Sequence, residues 1–352
     1  MKQFFLIISV FVVHFSFAIT DSSEAKLNLK IRVKTYCKPR IIGMSPNKIM
    51  SIGYDYEFGQ TLKSSDKGMF DPKANTEFKD TTTFNNVRGW RLSLKAPIIN
   101  KPKIIWQFGI NYWSINYEKD HTTYLGTASN FGSELQRLTT AGIFTSIYKP
   151  LNAKAFVILQ SSLDLNGDYT IGNMQSLRYL RYSGAAMYGR RVHDRKQWAI
   201  GVARGYNAGL ANILPMLMFN YTTPNDKSGV EIMLPARAWY RYKLNKNNLF
   251  RTGCELEGAS YHIGQISYLG SDVDLRRGQL RFKVEYQGQL YKSFWIALQT
   301  GYCKILNFNL DYIKSDGKDQ SRQFERDEPF YVMINKLSDF MFLNLSINFV
   351  SF

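Results

Sequence analysis

Cysteine is scarce in this 352-residue chain: Cys37, Cys254 and Cys303 are the only three, and no CxxC occurs. That excludes a disulfide framework and the zinc or redox motifs built on paired cysteines. Histidine is nearly as rare, with four copies, and there is no HExxH, no Walker loop and no GxGxxG on a βα unit. Beyond the extreme N-terminus no apolar run reaches about 18 residues, so a bundle of membrane-spanning helices is excluded. Acids are outnumbered, 28 against 45 Lys plus Arg, for a formal charge of +17. What the chain has in quantity is aromatic surface: 24 Phe, 22 Tyr and 6 Trp, or 15% of all residues. A basic disordered tail would lack these. Aromatic richness at a mean hydropathy of only −0.27 points to an all-β chain.

The first eighteen residues read as a secretory signal peptide. Lys2 supplies a positive start, Phe4 to Val13 an apolar stretch broken only by Ser9, and Ser16-Phe17-Ala18 a small-residue cleavage site. The stretch ends at His14, too short to span about 30 Å as a helix. The domain reading is therefore a signal peptide over 1–18, a periplasmic N-terminal segment over 19–47, and a barrel over 48–352.

Strict alternation runs through the remainder. Met50, Ile52, Tyr54, Tyr56 and Phe58 alternate with Ser51, Gly53, Asp55 and Glu57. Leu280, Phe282, Val284 and Tyr286 alternate with Gln279, Arg281, Lys283, Glu285 and Gln287. Ile104, Trp106, Phe108, Ile110 and Tyr112 repeat the pattern. Period 2 sends the two sets to opposite faces of a strand. A soluble sandwich would explain one such strand, but these runs are longer than the 5–6 residues usual in soluble strands. The face opposite the apolar stripe is charged, as a water-facing lumen would be.

Short turns alternate with long polar connections along the chain. The turns fall at 100–103, 149–154, 192–197, 224–227, 245–248 and 291–293, and the connections at 60–84, 118–132, 166–177, 207–212, 264–276 and 312–339. Short periplasmic turns and long outer loops mark an outer-membrane barrel. The expected fold is an antiparallel transmembrane up-and-down β-barrel of about 14 strands, with about 12 as the alternative. Val230 to Leu244 alternates without a break; counted as one strand it makes the total odd, so a turn or bulge is placed at Pro235, which cannot donate to a ladder. Parity also constrains the hairpin joining 236–244 to 249–261. Residues sharing a face must pair with even sums, leaving 243 opposite 249 or 244 opposite 250. The first sets Arg241 against Arg251, so the second is expected, with Arg237 beside Glu257.

Several local features, Leu214-Pro215, Pro224 to Lys227, Leu234-Pro235, Tyr240-Arg241-Tyr242 and Glu255-Leu256-Glu257-Gly258 followed by Tyr261, resemble an uncharacterised family of outer-membrane β-barrels common in Bacteroidetes-type bacteria. The resemblance implies fold and location and carries no catalytic residue. The chain closes on an amphipathic strand ending at Phe352, which resembles the signal read by outer-membrane assembly machinery. Its apolar stripe Leu343, Leu345, Ile347 and Phe349 is out of phase with that terminal Phe.

Catalytic chemistry is thin. His193 sits in a short turn beside Asp194, His121 follows Asp120 in a long connection, and His262 follows Tyr261 near a strand end. No nucleophile, base and orienting group can be assembled from their spacing. Asp164-Leu165-Asn166-Gly167-Asp168 echoes a calcium loop without its later bidentate acid and reads as a turn. No cofactor, metal or nucleic-acid partner is expected; lipid and lipopolysaccharide are. The lumen-facing charged candidates are Glu231, Arg237, Arg241, Lys243, Arg251, Glu255, Glu257, Arg281, Lys283 and Glu285. Their basic members would bias a pore toward anions, unless the acids pair with them and fill the lumen. The expected function is porin-like passage of small polar solutes, mildly favouring anions, and not an enzyme. The alternatives are a plugged structural or partner-binding barrel and, third, an outer-membrane hydrolase with a rim site.

Overall fold

The computed structural model describes residues 36–65, 78–124, 131–170, 177–207, 210–266, 271–312 and 331–351. The signal peptide reading over 1–18 and the terminal Phe352 lie outside the described residues. Among the described residues no helix is long and apolar enough to cross a membrane.

The strands are β1 (Asn47–Glu57), β2 (Gln60–Ser65), β3 (Phe78–Lys101), β4 (Ile104–Tyr124), β5 (Arg137–Pro150), β6 (Ala155–Gly167), β7 (Leu180–His193), β8 (Lys196–Asn207) and β9 (Leu210–Thr222). They continue as β10 (Ser228–Leu234), β11 (Arg237–Lys243), β12 (Asn248–Ile266), β13 (Ser271–Tyr291), β14 (Phe294–Tyr312), β15 (Tyr331–Met333), β16 (Asn335–Leu337) and β17 (Phe340–Ser351). A short α-helix, α1 (Phe131–Glu134), precedes β5, and a 3-10 turn at Leu177–Tyr179 precedes β7. Neighbours pair antiparallel, and β1 pairs with both β3 and β17, which closes the sheet. Because β1 and β2 follow one another along β3, and β15 and β16 lead into β17, the wall is a closed barrel of fourteen strands. The unbroken alternation of Val230 to Leu244 is divided at Pro235 into β10 and β11, which keeps the count even.

The outer surface is what an apolar solvent requires. On β17, Met341, Leu343, Leu345, Ile347 and Phe349 are exposed while Phe342, Asn344, Ser346, Asn348 and Val350 are buried. On β13, Phe282, Val284 and Tyr286 face out and Arg281, Lys283 and Glu285 face in. Trp90, Leu92, Ile200, Val202, Ile213, Tyr240 and Tyr242 extend the same belt. Exposed in water, so contiguous an apolar surface would drive aggregation; around a barrel it meets hydrocarbon.

Two sequence expectations are corrected. Some stretches assigned to long connections carry strand: β2 spans 60–65 and β3 begins at Phe78, β4 runs on to Tyr124, and β15 and β16 lie within 331–337. Strand ends standing clear of the apolar belt need no apolar face, so polar sequence there hides a ladder that backbone hydrogen bonds still sustain. The second correction is the register of β11 and β12, which sets 243 opposite 249 and Arg237 opposite Glu255, not Glu257. The Arg241 and Arg251 clash that disfavoured it is removed because each guanidinium turns to its outer neighbour, Arg241 to Glu231 and Arg251 to Glu285.

Inside, the barrel is not a uniform tube. Residues 36–46 run along the inner wall at the short-turn end. The Arg191 guanidinium donates to the Lys38 and Arg40 carbonyls, Gln197 to that of Pro39, and Thr222 to that of Ile42. At the other end β12 outruns β11 and leans inward, and His262 pairs in parallel with Gly167 of β6. The Asp168 amide donates to the His262 carbonyl at 3.3 Å.

Candidate functional site in the barrel interior

Three layers fill the interior. Farthest from the short turns is a hydrophobic core in which Leu62, Phe84, Ile115, Phe131, Leu138, Leu275, Phe308 and Leu310 are buried together. These come from β2, β3, β4, α1, β5, β13 and β14, so their packing joins strands around the circumference. Phe131 of α1 sits 6.3 Å from Phe308. Beneath it, β4 and β5 touch β12 and β13 across the barrel. The Trp113 ring lies 6.3 Å from Tyr261, the Arg277 guanidinium 5.0 Å from the Trp113 ring, and the Thr140 hydroxyl donates to the Tyr261 hydroxyl at 3.5 Å. The same Trp113 indole donates to Asp55 at 3.0 Å, and Asp55 also holds Arg91. These are contacts between facing walls, and a cavity of about 160 Å³ lies among the same side chains.

The middle layer is a charge belt. Arg281 is 2.5 Å from Glu57 and 3.4 Å from Glu257, and stacks over Phe342. Lys283 bridges Glu255 and Glu257. Glu255 also accepts from the Trp239 indole, and Glu257 from Gln279. Arg251 meets Glu285 at 2.7 Å and lies over the Trp239 ring. Arg241, wholly buried, meets Glu231 at 2.9 Å, and Glu231 also accepts the Ser45 amide and hydroxyl. Taking ions from water costs several kcal/mol each, which pairing and added hydrogen bonds must offset. Alternation of sign and shared partners supply the pairing, while Arg241 Nη1, Arg281 Nε and the Arg277 guanidinium nitrogens have no hydrogen-bond partner among the described residues. Gly229 stands opposite Arg241, and a Cβ there would approach its guanidinium to 2.5 Å. The glycine makes room for the buried cation.

The third layer, toward the short turns, is a cavity of about 500 Å³. One flank is polar, with Gln107, Ser146, Gln160, Gln287 and Gln299, and residues 39–48 close another side. Next to it lies an apolar wall of Phe156, Met187, Ala199, Met216 and Met218. Arg237, exposed into the cavity, makes no hydrogen bond or ion pair among the described residues. Lys243 lies half-buried at the end of β11.

Of the charged candidates, nine of the ten are thus drawn into the belt or the turn end, and Arg237 alone among them stands free in the cavity. The charged candidates left out Asp55 and Glu57, although both fall on the polar face of their alternating run, and sequence reading missed Arg91, Lys95 and Arg277. Arg91 and Lys95 were detectable, since they occupy the odd positions opposite Trp90, Leu92 and Leu94. Arg40 precedes any strand and carries no periodic signal.

The histidines do not converge. His121 is exposed, and His193 accepts the Arg195 amide at 3.2 Å. Buried His262 lies 3.5 Å from Asp272 and 3.6 Å from Asp274, with its Nδ1 lacking a hydrogen-bond partner among the described residues. Asp164 accepts from Ser162 and Asn111, and Asp168 from the Gly264 amide, so both act as internal acceptors. No group of acids, His and Cys suited to a metal occurs among the described residues.

A closed antiparallel wall with an apolar exterior and a charged interior defines a transmembrane β-barrel. The chain belongs to the family described as Domain of unknown function (DUF6268), whose model matches residues 76–332. No curated protein matches it in sequence. Among solved structures it is similar to the COG4313 outer membrane channel from Pseudomonas putida F1, at 11% identity and TM-score 0.36, over 88% of this chain and 97% of that one. It is also similar to the Pseudomonas putida toluene transporter TodX, at 11% identity and TM-score 0.32, over 90% and 95% of the two chains. Likeness at this level carries no substrate across.

Proposed function

We propose that this protein is an outer-membrane channel for small polar solutes, seen in a shut state. The short turns face the periplasm, so the cavity is open to solute from that side. The contact of Trp113 and Thr140 with Tyr261 carries the reading. Among the described residues this contact and the charge belt, both made by side chains of the wall itself, stand between the polar, solute-sized chamber and the packed apolar layer. A general pore would keep a water-filled lumen throughout its length. Cell fractionation should find the protein in the outer membrane, migrating faster on a gel when unheated. Vesicles carrying it should swell in arabinose faster than protein-free vesicles.

A second reading, a permanently closed structural barrel, is favoured by the full burial of Arg241 and Arg281 in the charge belt. Swelling no faster than protein-free vesicles, from folded protein, would favour that reading.

A further inference from the structure

The cavity at the short-turn end has a balance of charge that its own walls leave unresolved. Its three carboxylates are committed elsewhere. Glu231 is held by Ser45 and Arg241, Glu255 by Trp239 and Lys283, and Glu285 by Arg251, Gln287 and Gln299. Three cations on the same cavity have no carboxylate within ion-pair distance among the described residues: Arg40, Lys95 and Arg237. Arg40 donates to the Ser45 carbonyl and Lys95 to the Asn47 side-chain carbonyl at 2.9 Å, both neutral acceptors. Arg40, Lys95 and Arg237 all line this one cavity, with Glu255 opposite Arg237 on the β11–β12 ladder but held by Lys283. The three cations arrive from separate places, the 36–46 segment, β3 and β11, so the fold gathers like charge at one chamber. Such gathering is unfavourable in an enclosed space unless an anion enters it.

We propose that this chamber is an anion-binding subsite for a small phosphate- or carboxylate-bearing solute, held by Arg237, Lys95 and Arg40. The inference rests on the channel reading above and deepens it by assigning the class of solute. Guanidinium forks suit bidentate contact with either group. The amides of Gln107 and Gln160 and the Ser146 hydroxyl offer further contacts for a polar remainder. The volume of about 500 Å³ falls within the range of small-molecule sites.

Calorimetry on the folded full-length protein in detergent, in low-salt buffer with inorganic phosphate as the probe, tests this. Phosphate should bind the wild type. Arg237→Gln should weaken it about tenfold, as expected for losing one charged hydrogen-bond donor. Adding Lys95→Gln should weaken it further, and Lys103→Gln, at an exposed turn, should leave it unchanged. Arg237 has no partner to lose, so its replacement leaves the barrel folded, which the unheated gel shift verifies. No phosphate binding by folded wild type, equal affinity in the double variant, or equally tight binding of glucose would each overturn the subsite. Because binding is read at equilibrium, phosphate can bind a barrel that never conducts, and a barrel can conduct without binding it; the two readings fail separately.

Discussion

Arg241 and Arg251 stand directly opposite one another on the β11–β12 ladder, and neither guanidinium is spent on repelling the other. One reaches Glu231 on β10, the other Glu285 on β13. A like pair across a ladder is destabilising when nothing else is in reach; here each arginine has an acid on its far side.

Glu231→Gln should therefore leave Arg241 charged and wholly buried. The expected loss is about 3–5 kcal/mol, as for a buried pair broken from one side. Arg88→Gln, in an exposed pair with Glu118, should cost about 0–1 kcal/mol. Urea unfolding in lipid vesicles measures both, and equal small losses would remove the buried belt as a source of stability.

How much of this was legible in sequence follows from where each signal lives. Alternation along one strand gave the faces and the rule that 237 must pair with an odd-numbered partner, while the strand count came from the spacing of turns and the even-number rule. The choice between Glu255 and Glu257 was not legible, because it depends on Glu231 and Glu285, which sit on strands flanking the pair and not across from it. The interior hydrophobic core was hidden more deeply. Leu62, Phe84, Leu138 and Phe308 are far apart in the chain and meet only once the barrel closes. Two of them fall in a stretch whose polarity reads as loop.

Gly229→Ala should push a methyl group into the Arg241 guanidinium and to 2.4 Å from the Tyr221 carbonyl. Overpacking of this kind costs about 1–3 kcal/mol. Gly205→Ala, where a Cβ meets nothing within 4 Å, is the control. Equal stability of the two variants in urea would show that Arg241 needs no such space.

Phe282→Arg places a charge on the apolar belt of β13, at an expected cost of about 2–4 kcal/mol near the bilayer midplane. The same unfolding assay reads it. A tolerated Phe282→Arg beside a severely destabilised Leu345→Ala would mean that the belt around β13 does not face lipid.

Orientation is tested on intact cells with a membrane-impermeant maleimide. Asp120→Cys, exposed at the far end of β4, should be labelled, and Asn247→Cys, in an exposed short turn, only after lysis. Labelling of Asn247→Cys before lysis would invert the barrel and place the cavity on the cell's outer side.

The shut passage is tested most directly by single-channel recording in a planar bilayer. Wild type should show rare, small conductance steps. Trp113→Ala combined with Tyr261→Ala removes the contact between opposite walls and should give larger and longer-lived openings. Large steady openings from wild type, unaltered in the double variant, would contradict the account.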